Sequence, residues 1–130
     1  MAIDKRNEKI EYERKAILFL PENEWHELGL LFFHYICLGL KIRPIYLGQS
    51  VPLSSLEAII ESKNPDFLVF SNLSIKSQRA FKIYLEKLTK IATHQQLICI
   101  DRLAEKNSVL DQFNIFNPKE IEDFKNFIND

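Results

Sequence analysis

His26 stands in the segment PENEWHELG, two residues after an acid (Glu24) and three before a glycine (Gly29). A neutral imidazole is a good ligand for a transition metal. A ligating histidine usually donates its second ring N–H to a carboxylate, which fixes the tautomer and raises basicity. Glu24 is close enough in sequence to be that carboxylate, and Gly29 leaves room for a flat ligand near a helix start. The plainer alternative is a surface loop whose acids, Glu22, Glu24 and Glu27, favour the dipole of the next helix. Residue chemistry alone leaves both readings open. A zinc site is disfavoured, because no second histidine follows at three or four residues and His34 is two turns further on.

Other chemistries lack their residues. The chain has three glycines, Gly29, Gly39 and Gly48, so neither GxGxxG nor a P-loop can form. A phosphorylatable receiver would want an aspartate after the third strand, where Phe70-Ser71 stands. The acidic loop would repel a flavin phosphate. No Ser-His-Asp or Cys-His set can be assembled, and His94 lies in a polar turn.

The elements that would position His26 follow from the apolar pattern. Ala16 to Leu20, Ile42 to Leu47, Phe67 to Phe70 and Leu97 to Ile100 are short apolar runs, as strands buried on both faces are. Phe113 to Phe116 is a weaker fifth. Helical spacing covers Leu28 to Leu40, with Gly39 as its stop signal, and Pro52 to Ser62, where Ser54 or Ser55 could cap. It also covers Ser77 to Ala92 and a last helix started by Pro118. In the third helix Ala80, Phe81, Tyr84, Leu85, Leu88 and Ile91 should face inward. Alternating strands and helices predict an α/β fold, a flavodoxin-like (Rossmann-like) doubly wound five-stranded parallel sheet flanked by helices. Residues 1–15 read as a polar lead-in and 16–130 as one domain. Ligands of such sheets sit beyond the carboxyl ends of the strands, where the loops Pro21 to Glu27, Gly48 to Pro52 and Ser71 to Ser74 would meet.

Composition bounds the rest. The 130 residues carry 17 basic and 18 acidic side chains, a net charge of −1 that offers no broad field to nucleic acid or an anionic membrane. Cys37 and Cys99 lie in apolar runs without zinc spacing, which fits free thiols in a reducing cytoplasm. The first fifteen residues are too charged for a secretory leader, and Leu28 to Leu40 is too short to span a bilayer. That helix is apolar on nearly all sides, more than one sheet face requires, so the surplus must meet its own domain's core, another domain, a second copy or a ligand.

The segments FLPENEWHELGLLF and IYLGQSVPLSSL resemble a cobalamin-binding domain, and more narrowly the C-terminal domain of MerR-like transcriptional regulators, over about Ala16 to Ile100. The resemblance implies that Glu24-x-His26-x-x-Gly29 is the ExHxxG loop, with His26 as the lower ligand of cobalt. It also implies that Ser71-Asn72-Leu73 is the SxL motif holding the displaced nucleotide tail, with Ser71 and Leu73 as its contacts. The family's Gly-Gly after the fourth strand is replaced by Asp101-Arg102, two bulky charged residues in the tail slot. The implied role is a cytoplasmic cobalamin sensor without catalysis of its own. Its partners would be the DNA-binding and helical domains of the full-length regulator and a second copy in a homo-oligomer. The alternative is a degenerate relative that keeps the fold, has lost cobalamin and serves as an interaction module.

Overall fold

A computed structural model describes residues 14–71, 77–100, 107–118 and 121–129. Its strands are β1 (Arg14–Pro21), β2 (Ile42–Val51), β3 (Phe67–Ser71) and β4 (Gln96–Ile100). Its helices are α1 (Leu28–Gly39), α2 (Leu53–Lys63), α3 (Gln78–Ile91), α4 (Asn107–Gln112) and α5 (Ile121–Asn129). All described strand pairs are parallel, in the order β2-β1-β3-β4. The order reverses at β1/β3, the crevice where flavodoxin-like sheets take their ligands.

Alternation along the strands divides the core between two faces. Ile17, Phe19, Leu68 and Phe70 point to one side, where Leu56 and Ile60 of α2 and Phe81, Leu85 and Leu88 of α3 cover them. Ala16, Leu18, Leu20, Phe67 and Val69 point to the other, under Leu30, Phe33 and Cys37 of α1 and Phe124 and Ile128 of α5. Helices on both faces explain why β1 and β3 read as unbroken apolar runs.

Several expectations need correction. The sheet has four strands among the described residues, and Phe116 makes only an isolated bridge with Ile98. The turn before it consumes the backbone: the amides of Phe113 and Ile115 donate to the Leu110 carbonyl, and that of Asn114 to Asp111. Phe116 alone is left to pair, donating to Leu97 and accepting from Cys99. β2 does not stop at Gly48 but runs on to Val51, because Gly48 (φ 83°) and Ser50 (φ 49°) bend it and shift its register instead of ending it. α1 ends at Gly39, as its stop signal leads one to expect, but the left-handed residue that turns the chain is Lys41, at φ 59°. Ser54 and Ser55 fall inside the first turn of α2, whose cap position is Pro52, without a side-chain bond. Ala80 is exposed, and the buried stripe of α3 begins at Phe81.

A candidate ligand loop at the carboxyl edge of the sheet

The loop between β1 and α1 is built around one buried carboxylate. Glu24 is 1% exposed, although charged side chains are almost never fully buried unless paired. Its Oε2 accepts from the backbone amides of Trp25 (3.0 Å) and His26 (3.3 Å) and lies 2.9 Å from His26 Nδ1. These bonds replace the water lost on burial. A carboxylate can only accept, so Nδ1 carries the hydrogen, and in the neutral ring Nε2 presents a lone pair. The His26 side chain is 69% exposed. The acid two residues before His26 is therefore sunk below the imidazole.

The end of β2 clasps this loop. The Ser50 amide donates to the Glu24 carbonyl (3.1 Å), and Ser50 Oγ accepts from the Asn23 amide (2.9 Å). Gln49 Nε2 donates to the Trp25 carbonyl (3.1 Å). Glu27 heads α1 without capping it, because its carboxylate takes the Tyr46 hydroxyl at 2.6 Å. Burial and this carboxylate push the Tyr46 phenol above its ordinary range. Tyr46 also meets His34 edge-to-face, and His34 Nδ1 is buried there without a partner. The sequence marks Ile42 to Leu47 as a strand and Gly48 to Pro52 as a neighbouring loop, but not the roles of Tyr46, Gln49 and Ser50, which depend on the bends at Gly48 and Ser50.

Gly29 sits in the first turn of α1, exposed, and a Cβ added there would meet nothing within 4 Å. The fold makes no use of this glycine. Ser71 ends β3, paired with Ile100 of β4, and is 6% exposed. Leu73, Asp101 and Arg102 lie outside the described residues. Tyr84 on α3 packs against Phe70, next to Ser71, and its hydroxyl is buried with no hydrogen-bond partner. Among the described residues no three His, Cys, Asp or Glu side chains gather as a metal cage. Burial pushes the Cys37 thiol up to about 12, which removes it as a nucleophile.

The described residues define a flavodoxin-like domain with a carboxylate-oriented imidazole at its ligand edge. Solved structures of the same fold were found. A cobalamin-binding protein from Desulfitobacterium hafniense DCB-2 superposes with a TM-score of 0.76 at 16% identity, over 98% of this chain and 63% of that one. The methanol:cobalamin methyltransferase complex of Methanosarcina barkeri gives 0.74 at 18% identity, over 92% and 47%. The monomethylamine corrinoid protein of the same organism gives 0.67 at 16% identity, over 84% and 53%. The chain therefore spans about half to two thirds of these proteins. At such identities the likeness establishes the fold. No protein-family profile matches the chain, and no curated protein matches it in sequence.

Proposed function

We propose that this domain binds cobalamin through His26 and serves as the ligand-sensing part of a MerR-like transcriptional regulator. The observation that carries the reading is the Glu24–His26 pair: a buried carboxylate holds Nδ1 while the rest of the ring is exposed at the carboxyl edge. The residues fit the group. His26 Nε2 would hold the cobalt, Glu24 would orient it, Gly29 would leave the surface open, and Ser71 would meet the nucleotide tail. Bound cobalamin would supply a cobalt centre able to exchange a ligand. This chain's part is to bind, without catalysis. Ligand binding would then bias domain packing or oligomer state, and the bias would reach DNA through domains elsewhere in a longer regulator. Two free, buried cysteines support a cytoplasmic setting. No described helix is long and apolar enough to cross a membrane.

Titration with hydroxocobalamin tests the reading. Ligation by His26 should shift the cobalamin absorption spectrum and make the cofactor co-elute with the protein. His26→Ala should abolish the shift. Glu24→Gln, which leaves the ring without its carboxylate, should weaken affinity by about 10- to 100-fold. A wild-type chain that leaves the spectrum unchanged overturns the proposal and favours the interaction-module alternative.

A further inference from the structure

The end of β2 holds a residue in a conformation that its type disfavours. Ser50 has φ 49°, in the left-handed region where glycine sits without cost and serine does not. Such a conformation persists only where the surroundings hold it, and it clusters at ligand sites. Its origin is a bulge. Between Phe19 and Pro21 β1 has one residue, Leu20, whereas the facing stretch of β2, from Gly48 to Val51, has two, Gln49 and Ser50. The surplus residue leaves the ladder, and Ser50 gives both its amide and its hydroxyl to the loop that follows β1. That loop is the root of Glu24. A turn from Pro21 to Glu24, with Asn23 at φ 71°, is closed by the Glu24 amide donating to the Pro21 carbonyl (2.9 Å). Ser50 Oγ accepts from the amide of that same Asn23 (2.9 Å), and the Ser50 amide donates to the Glu24 carbonyl (3.1 Å). Both main-chain groups of Glu24 are therefore held, one by the end of β1 and the other by β2.

We infer that Ser50 is a positioning residue for the His26 ring. By fixing the backbone of Asn23 and Glu24 it sets where the Glu24 carboxylate stands, 2.9 Å from His26 Nδ1. That bond decides which ring nitrogen keeps the hydrogen and which is left for a ligand. Glycine would suit the backbone at position 50 better; what serine adds is the hydroxyl that the Asn23 amide uses. Ser50 acts through Glu24 rather than on the ligand. The tautomer is a property of this chain alone; only its consequence for cobalamin rests on the function proposed above.

Two substitutions separate positioning from folding. Ser50→Gly suits the left-handed backbone but removes the hydroxyl. Ser50→Thr keeps a hydroxyl but puts a β-branched residue at positive φ, where strain is greatest. Ser50→Gly should therefore melt higher than Ser50→Thr, and the imidazole should answer in the opposite order. NMR of the ring nitrogens without cobalamin, on the neutral imidazole and assigned by comparison with His26→Ala, reads the tautomer. The hydrogen should sit on Nδ1 in wild type and in Ser50→Thr, and be shared between both nitrogens in Ser50→Gly. Hydroxocobalamin affinity should fall about tenfold in Ser50→Gly, the loss expected when an outer partner of a ligating histidine is displaced, and stay near wild type in Ser50→Thr. A Ser50→Gly ring that keeps the wild-type shifts overturns the inference. So does an affinity that follows melting temperature instead of tautomer. If wild type fails to bind hydroxocobalamin while the tautomer still answers to Ser50→Gly, the positioning role stands and the proposed function falls.

Discussion

α1 and α3 cover opposite faces of one sheet, yet only one of them is an ordinary sheet-covering helix. α3 buries Phe81, Leu85 and Leu88 and turns Lys82, Glu86, Lys87 and Lys90 to water. One stripe is all that the fold asks of it. α1 buries Leu30, Phe33 and Cys37 for the same purpose and then presents a second apolar face outward. The two helices are equivalent in architecture, so whatever differs between them is not explained by folding. The difference lies where α1 begins, directly after the loop that holds His26. Surplus apolar surface and an oriented imidazole therefore share one side of the molecule.

The comparison breaks if the outer stripe of α1 stabilises the domain itself. Leu30→Ala on α1 and Leu85→Ala on α3 should each cost about 2–5 kcal/mol, because both side chains are fully buried. Tyr35→Ser should change stability by no more than about 0.5 kcal/mol. Urea denaturation at submicromolar concentration, where association contributes little, measures all three. A loss of several kcal/mol at Tyr35 would make both faces of α1 structural.

Each helix also carries one group that the fold does not need. On α3 it is the Tyr84 hydroxyl, buried without a partner beside Phe70. Burial raises its pKa, with Cys99 and Glu22 adding to the shift, so it stays a neutral donor. Removing an unpaired buried hydroxyl relieves a desolvation cost, so Tyr84→Phe should raise stability by about 1 kcal/mol. If the hydroxyl serves the ligand instead, the same variant should bind hydroxocobalamin more weakly. Thermal melts and the spectral titration read the two effects separately.

Much of this was legible in sequence because it is local. The runs at Ala16 to Leu20 and Phe67 to Phe70 showed strands buried on both faces, and Glu24-x-His26 sits within one turn of chain. The unread parts depend on the rest of the fold. Phe113 to Phe116 alternates like a strand, but the turn at Asn114 (φ 56°) takes its hydrogen bonds. Ala80 fits a helical stripe by count, yet the sheet begins to cover α3 only at Phe81. The clasp by Tyr46, Gln49 and Ser50 needs β2 to bend at Gly48, which no pattern of hydrophobic residues encodes. The outward face of α1 was visible as excess apolar content; which residues compose it required knowing which face meets the sheet.

On α1 the unneeded group is the missing side chain of Gly29. Glycine inside a helix costs roughly 0.5–1 kcal/mol relative to alanine, chiefly through backbone entropy. Space does not require it, since a Cβ would meet nothing within 4 Å, and its φ is not left-handed. Gly29→Ala should therefore raise stability by about that amount, measured by thermal melts. A larger side chain, Gly29→Leu, should do no harm to the fold but should block a flat ligand approaching His26 from the helix side. If Gly29→Leu binds hydroxocobalamin as wild type does, the open surface beside His26 has no part in the ligand site, and the imidazole alone must carry it.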